Sequence, residues 1–231
     1  MIAPLYDLVL ARSMARVYRK AVDLLLQAYP RAPHPMPTAL DVGTGTGLFA
    51  SELARGGFQV TAIDSCSAML RVAQRHRPRA ADYIQAEAHL ASRQPGAPFD
   101  LVCAGMLLHG LPREYRAEVL ADMTRAACKA VVIVDYVPPA NPMAAAVECL
   151  EGSYYRDFLH EFGDDLASAG ADALIYPLTS ACALYLVPLC TDPRVTELQH
   201  PARSQRSSCA TRSSAPSPQL PRSALRSTPN H

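Results

Sequence analysis

The chain has 231 residues, of which 49% are hydrophobic and 19% charged, and its 22 basic and 21 acidic residues leave a formal charge of +1. This length and composition predict one globular domain of ordinary size with a short appendage. A nucleic-acid-binding protein usually has a basic excess, so the balanced charge and the 6% of aromatic residues argue against DNA as a partner.

Residues 1–37 are predicted to form a helix followed by a proline-rich lead-in. Apolar residues recur at roughly helical spacing from Leu5 to Leu26. Four prolines between residues 30 and 37 then prevent the helix from continuing and favour extended backbone. The lead-in is therefore expected to carry the chain into a first strand.

Residues 38–188 alternate short apolar segments with longer amphipathic ones, which is typical of a parallel sheet covered by helices. The predicted strands are Ala39–Val42, Gln59–Ile63, Asp82–Ile84, Leu101–Ala104 and Ala130–Val134. The predicted helices are Leu48–Arg55, Ser67–Arg75 and Arg113–Ala127. A final apolar pair, Ala173–Tyr176 and Cys182–Val187, predicts an antiparallel hairpin. The expected fold class is α/β: a Rossmann-like doubly wound, mostly parallel sheet with a C-terminal antiparallel hairpin strand.

A glycine-rich loop, DVGTGTG over residues 41–47, follows the first predicted strand and immediately precedes a helix. Glycines allow a sharp turn and a close approach of ligand at the carboxyl end of a strand, where open α/β sheets bind their ligands. Leu48 departs from the GxGxxG spacing of dinucleotide-binding folds, and no lysine follows Gly47 as a phosphate-binding P-loop requires. The leading acid, Asp41, suits a ligand amino group better than a pyrophosphate.

A second acid, Asp64, follows the second predicted strand, 23 positions after Asp41. Near this spacing a carboxylate can accept hydrogen bonds from both hydroxyls of a ribose. Ser65 or Ser67 is a candidate N-cap for the helix that begins there. The loop and the second acid together predict a ribose-containing ligand.

The segments DVGTGTG and VTAIDSCSAML resemble the class I S-adenosylmethionine-dependent methyltransferases, in particular their small-molecule, ubiquinone/menaquinone-methyltransferase-like branch. The similarity covers roughly residues 1–187 and includes a lead-in, IAPLYD, that contains Tyr6. It implies S-adenosyl-L-methionine as the cofactor, with Asp41 at its methionine end and Asp64 on its ribose. The cofactor contacts that the resemblance implies are Asp41, Gly43, Thr44, Gly45, Gly47, Asp64, Ser65, Met69, Glu87, Ala88 and Ala104.

Two further segments are similar to the family's pattern but differ from it in part. The family's Gly-Asp-Ala element falls on residues 86–88, where Glu87 replaces the aspartate and is one methylene longer. Met69 would offer apolar surface beside the adenine. The segment AGMLLH at 104–109 is similar to the family's segment beside the sulfonium and the acceptor. It lacks the Asn-Pro-Pro-Tyr run of amino-methylating members, which disfavours exocyclic amines of nucleic-acid bases as acceptors.

The implied reaction is an in-line displacement, in which an acceptor atom attacks the methyl carbon and the thioether leaves. His109 is the candidate base for a hydroxyl or phenol acceptor, and a structural, hydrogen-bonded histidine is the alternative. Residues 148–159 are expected to cover a pocket for a small acceptor, or to place their aromatic residues in the core as one amphipathic helix. The candidate acceptor-contacting residues are Tyr6, Met106, His109, Tyr154, Tyr155 and Arg156.

Two other functions remain open at this point. The chain could be a methyltransferase-like, cofactor-binding scaffold or assembly factor without catalysis. A nicotinamide-dependent reductase is disfavoured by Leu48. Retention of both acids and all three loop glycines argues for cofactor binding at least.

The remaining predictions concern the tail, the cysteines and the compartment. Residues 189–231, rich in Ser, Pro and Arg, are expected to be disordered and either to contact an acidic partner or RNA or to stay solvated. Seven scattered cysteines without zinc-site spacing predict reduced thiols and no metal. No charged leader and no apolar run of about 18 residues is found, so a soluble, cytoplasmic protein is expected.

Overall fold

A computed structural model describes residues 3–29, 36–168 and 172–189 of the chain. The predicted lead-in at residues 30–35 lies outside the described residues, and so does the predicted tail from residue 190 onward. Within these ranges, no helix combines the length and the apolar character that crossing a membrane requires.

The described residues form seven strands and six α-helices. Helices and strands alternate up to the fifth strand, with a 3₁₀ helix between the third and fourth strands, and two helices and then two strands follow. The strands are β1 (Thr38–Val42), β2 (Gln59–Asp64), β3 (Asp82–Gln85), β4 (Phe99–Gly105), β5 (Ala127–Tyr136), β6 (Leu174–Pro177) and β7 (Cys182–Pro188). The helices are α1 (Ala3–Ala28), α2 (Leu48–Arg55), α3 (Ser67–His76), α4 (Arg113–Ala126), α5 (Pro142–Glu151) and α6 (Tyr155–Ser168). Two short 3₁₀ helices occupy Ala88–Arg93 and Leu108–Gly110.

The seven strands form one sheet in the order β3-β2-β1-β4-β5-β7-β6. The first five strands in this order are parallel, and β7 is antiparallel to both β5 and β6. The predicted α/β class with a C-terminal antiparallel hairpin is therefore confirmed. The order reverses between β1 and β4, and such a switch point leaves a crevice at the carboxyl ends of the strands.

The core lies along the central strands because parallel strands covered on both faces bury nearly every side chain. Leu40 of β1, Val102 of β4 and Ile133 of β5 are all fully buried. On one face, Tyr18 of α1 stacks on Phe49 of α2 with ring centroids 4.6 Å apart. Burial of each such side chain stabilises the fold by about 1.5–3 kcal/mol of transfer free energy. Because this packing holds β1 and β4 in place, it also fixes the positions of their carboxyl ends.

The expectation of one amphipathic helix over residues 148–159 is wrong. Helix α5 ends at Glu151 and α6 begins at Tyr155. Between them Gly152 has φ +72°, a left-handed conformation that glycine adopts without steric cost. The Ser153 amide donates to the Glu148 carbonyl at 3.0 Å and closes the turn.

The prediction that Ser65 or Ser67 caps α3 is also wrong. The N-cap residue is Cys66, and no side chain caps the helix. Asp64 lies next to this end and accepts the Cys66 amide at 2.8 Å, while the Ser67 hydroxyl accepts from Arg71. The helix start is thus organised by the acid of β2.

Candidate cofactor and acceptor site

The glycine loop between β1 and α2 is held in left-handed backbone by its own hydrogen bonds. Gly43, Gly45 and Gly47 have φ values of +68°, +55° and +80°, where other residues are strained. The Thr44 amide donates to the Ile63 carbonyl of β2 at 2.9 Å, and the Gly47 amide donates to the Thr44 carbonyl at 2.9 Å. The loop is therefore tied to the neighbouring strand and not only to its own.

The three glycines have different surroundings. A Cβ on Gly43 would lie 2.6 Å from the Leu107 side chain, and one on Gly47 would lie 2.7 Å from the Tyr83 hydroxyl. A Cβ on Gly45 would meet no atom within 4 Å. Sequence reasoning expected all three glycines to make room for a ligand, but the protein's own side chains fill the space at Gly43 and Gly47. Gly45 faces open space.

Asp41 is buried beneath this loop, with 1% of its surface exposed. Its Oδ2 accepts the Thr44 hydroxyl at 2.7 Å and the Ala50 amide at 3.0 Å. Its Oδ1 has no hydrogen-bond partner among the described residues. Burial raises the pKa of Asp41 to about 7, although the bonds from Thr44 and Ala50 favour the carboxylate. A buried oxygen without a donor costs about 1–3 kcal/mol, and a ligand N–H donor would remove that cost.

Asp64 lies at the end of β2 and organises the other side of the loop. One carboxylate oxygen accepts the Gly45 amide at 2.8 Å, and the other accepts the Cys66 amide at 2.8 Å. An ionised carboxylate has about four acceptor positions, so two remain for ligand hydroxyls. The Ala86 amide donates to the Asp64 carbonyl at 3.2 Å, which brings the third predicted element beside this acid.

The other predicted cofactor residues differ in exposure. Glu87 is exposed and Ala88 half-buried at the start of the first 3₁₀ helix. Met69 is half-buried on α3, and Ala104 is buried in β4. Ser65 is exposed, and its carbonyl accepts from the Gln85 side chain at 3.0 Å. Ser65 directly follows β2, and Ala88 lies three residues beyond the end of β3.

His109 is buried between two carboxylates that sequence reasoning did not identify. Its Nδ1 lies 2.7 Å from Oδ1 of Asp135, and its Nε2 lies 3.4 Å from Oε2 of Glu148. The Tyr136 hydroxyl donates to the other oxygen of Glu148 at 2.9 Å. The signal available in the sequence was an acid, Asp135, directly after the apolar run AVVIV of β5.

This environment keeps the His109 ring protonated. Burial by itself lowers the pKa of the ring, but the charges and hydrogen bonds of Asp135 and Glu148 outweigh it and raise the pKa to about 10. The ring contacts keep the pKa of Glu148 below its usual value, although burial acts in the opposite direction. A protonated ring whose two N–H groups face carboxylates cannot accept a proton. The geometry favours the structural alternative for His109 over the role of general base.

The same network positions the segment that follows β4. Oδ2 of Asp135 accepts the amides of Leu108 and His109 at 3.0 and 3.3 Å. Met106 has φ +53°, a strained value for a residue with a side chain, and its amide donates to the Val134 carbonyl at 2.8 Å. Because Leu107 lies between these anchors and contacts Gly43, the network holds the segment against the glycine loop.

Of the three acceptor-contacting residues predicted after β5, one is buried in the core and two are exposed on the surface. Tyr155 is 2% exposed, accepts the Asn141 amide at 2.9 Å, and packs edge-on against Tyr136 with ring centroids 4.7 Å apart. Tyr154 is 42% exposed and Arg156 is also exposed. Helix α6 packs on the turn at 108–110, where its Phe158 ring lies edge-on to the His109 ring with centroids 6.3 Å apart.

Tyr6 lies within the helical backbone of α1, and its side chain is outside the described part of the structure. In the described ranges, no group of three or more His, Cys, Asp and Glu side chains is arranged to hold a metal ion. The site is therefore characterised by its loop, its two acids and the buried histidine network.

Residues 39–129 match a protein family described as methyltransferase domain. A human protein named methyltransferase-like protein 27 is 47% identical over 73 residues, covering 31% of this chain. A ubiquinone biosynthesis O-methyltransferase of Albidiferax ferrireducens is 49% identical over 77 residues, covering 30% of this chain. The chain spans only 29% and 30% of the lengths of these two relatives.

Solved structures with the same fold support the topology. A SAM-dependent methyltransferase from Aquifex aeolicus has a TM-score of 0.55 at 18% identity, covering 74% of this chain and 89% of that one. The magnesium protoporphyrin IX methyltransferase of Synechocystis, solved with bound SAH, has a TM-score of 0.51 at 17% identity. That match covers 74% of this chain and 83% of the Synechocystis chain. At these identities the likeness establishes the fold.

Proposed function

We propose that this chain, whose residues 39–129 match a family described as methyltransferase domain, is a class I enzyme that transfers a methyl group from S-adenosyl-L-methionine to a small-molecule acceptor. The observation that carries the proposal is the pair of acids on either side of the open Gly45 position. Asp41 has a buried oxygen that lacks a donor, and Asp64 has two acceptor positions left after binding two amides. These are the groups that the amino and ribose ends of the cofactor require.

The residues present fit this cofactor. Asp41 would hold its ammonium group, Asp64 its ribose, and Gly45 would leave room for its chain. Glu87 and Met69 would lie at its adenine. When bound, the cofactor supplies a methyl group already activated by the sulfonium. The protein therefore needs mainly to align the two reactants and to exclude water.

The acceptor is proposed to be a small molecule with a hydroxyl group. The relatives that carry the name ubiquinone biosynthesis O-methyltransferase support this class. Met106, Tyr154 and Arg156 are the residues proposed to contact the acceptor. Because the His109 ring already carries its proton and faces two carboxylates, we assign the acceptor's proton to solvent and His109 to positioning the 106–109 segment.

Calorimetric titration with S-adenosylmethionine and S-adenosylhomocysteine tests the cofactor. We expect micromolar binding, on the order of −8 kcal/mol. Asp64→Ala should weaken it by roughly 1–3 kcal/mol, about ten- to a hundredfold, because charge-assisted hydrogen bonds are lost. Asp82→Ala, at the exposed start of β3, is the matched control and should bind as the parent does.

Four results would change the assignment. Equal affinity of Asp64→Ala and Asp82→Ala would show that the ribose assignment is wrong. A folded chain that binds neither compound would replace the enzyme by the scaffold alternative. Tight binding of a nicotinamide dinucleotide, with none of S-adenosylmethionine, would support the reductase. Cofactor binding without methyl transfer to any hydroxyl-bearing acceptor would refute the acceptor class.

We also propose that the chain acts in a reducing compartment, the cytoplasm. The five cysteines among the described residues are free thiols, and two of them, Cys103 and Cys182, are buried. Burial raises the pKa of both thiols, which keeps them protonated and unreactive. Thiol titration of the unfolded chain purified without reductant tests this, and fewer than seven reactive thiols would contradict it.

A further inference from the structure

A groove with a cavity volume of about 410 Å³ lies between the C-terminal part of α2 and the segment that ends α3 and follows it. Four basic side chains line it: Arg55, His76, Arg77 and Arg79. No carboxylate is among its lining residues. Convergent cations in a concave surface create a local potential that attracts anions even where the whole chain is nearly neutral.

The four basic groups differ in whether a carboxylate of the protein already pairs with them. Arg55 pairs with Glu52 at 3.1 Å, and the same carboxylate also binds Arg19 at 3.2 Å. His76 and Arg79 are exposed and have no hydrogen-bond or ion-pair partner among the described residues. The groove therefore retains at least one guanidinium with all its donors available, and guanidinium geometry matches a phosphate group.

The groove is larger than one inorganic anion needs and is partly apolar. Ala54, Pro78 and Ala80 form part of its wall beside the basic groups. Small-molecule sites typically have volumes of about 300–1,000 Å³ and combine apolar walls with a few polar groups. This combination suits a phosphate ester with an organic part better than a bare phosphate ion.

Arg77 connects the groove to the glycine loop. Its Nη1 donates to the Thr46 carbonyl at 2.7 Å, near the end of the loop. Its own carbonyl accepts the Tyr83 hydroxyl at 3.1 Å, and that hydroxyl occupies the space beside Gly47. A guanidinium has five N–H donors, so Arg77 can hold Thr46 and still donate to an anion.

We propose that this groove is a binding site for a phosphate monoester, free or as a lipid headgroup. Arg79, His76 and Arg77 bind the phosphate, and Ala54, Pro78 and Ala80 contact the organic part. A bound phosphate holds the Arg77 side chain in place and so stabilises its bond to Thr46. The site is separate from the acids that would hold the cofactor, so it does not depend on the proposed methyl transfer.

Titration of the full chain with phenyl phosphate tests the site, with phenol as the uncharged control. We expect phenyl phosphate to bind and Arg79→Ala to weaken it about tenfold, because one charge-assisted contact is lost. Arg75→Ala, an exposed arginine of α3 outside the groove, is the matched control and should bind as the parent does. Equal affinities of the two variants would overturn the proposal.

Sedimentation with phosphatidylcholine vesicles, with and without phosphatidic acid, separates the two sources of the phosphate. Binding to phosphatidic acid vesicles that Arg79→Ala weakens, without binding of phenyl phosphate, assigns the site to a lipid headgroup. Binding of phenyl phosphate alone assigns it to a free ester. Binding of neither by the folded chain refutes the site.

Hydrogen exchange of the backbone amides at residues 44–48 tests the connection through Arg77. Saturating phenyl phosphate should slow exchange there in the parent, because the Arg77 bond to Thr46 is stabilised. Arg77→Ala should abolish this slowing. Unchanged exchange in the parent when phenyl phosphate is bound would refute the connection, and this readout requires no cofactor.

Discussion

The buried pair of carboxylates around His109 predicts that the protein loses stability as the pH rises above neutrality. The pKa of the ring is raised from 6.5 to about 10 by Asp135 and Glu148, against the effect of burial. A group whose pKa is raised on folding stabilises the folded state fully below its unfolded pKa. That stabilisation declines as pH rises and is gone above the folded pKa. The stabilisation that His109 provides is therefore lost between about pH 6.5 and about pH 10.

The size of the effect follows from the one proton that His109 binds in the folded protein and has largely released in the unfolded chain over this pH range. One pKa unit corresponds to about 1.4 kcal/mol, so the free energy of unfolding should fall by about 2 kcal/mol between about pH 7 and about pH 8.5. Asp41 acts mainly below this range, because its pKa rises from 3.8 to about 7 on folding. Burial also raises the pKa of Cys103 and Cys182, and in the unfolded chain thiols begin to ionise near the top of this range, at about pH 8.5. The difference between the parent and a variant without the ring therefore gives the contribution of the histidine.

Urea unfolding at the two pH values measures the effect in the parent, in His109→Gln and in His160→Gln. His160 is an exposed histidine of α6 and provides the matched control. We expect the parent and His160→Gln to lose about 2 kcal/mol, and His109→Gln, which has no titrating ring, to lose much less. An equal loss in His109→Gln would refute the charged ring and restore His109 as a candidate base. If His109→Gln does not fold, Glu148→Gln provides the test instead. Removing this carboxylate should lower the folded pKa of His109, so the decline in the free energy of unfolding should end at a lower pH than in the parent.

Three further predictions concern the glycine loop and the tail. Gly47→Ala should lower the melting temperature more than Gly45→Ala, because both positions have positive φ but only Gly47 has the Tyr83 hydroxyl at 2.7 Å; equal losses would contradict this contact. Asp41→Asn should raise stability above about pH 7 by removing a buried charge, yet weaken S-adenosylmethionine binding; tighter binding in calorimetry would contradict its role. Deleting residues 190–231 should leave the melting temperature nearly unchanged in calorimetry, and a drop of several degrees would refute the predicted disorder of the tail.

Much of the fold and half of the candidate site could be predicted from local patterns. Short apolar segments separated by amphipathic ones specify strands and helices within a few residues, because burial on both faces of a parallel sheet requires this pattern. Asp41 and Asp64 were identifiable because each lies at the carboxyl end of its strand, Asp41 next to the last residue of β1 and Asp64 as the last residue of β2. Parallel strands end at one edge, so their following residues meet there. The break at Gly152 was missed because a single glycine within an apolar pattern does not by itself end a helix.

The sequence by itself determined the α/β class, the sharp glycine-rich turn after the first strand and the placement of Asp41 and Asp64 at the carboxyl ends of neighbouring strands. Only the tertiary structure decided what His109 faces, since Asp135 and Glu148 come from β5 and α5 and meet the ring across long intervals of chain. It also decided that Leu107 and Tyr83, not a ligand, fill the space beside two of the glycines. The physical reason is that periodicity records which face of an element is buried, whereas the partner of a buried group depends on how elements pack.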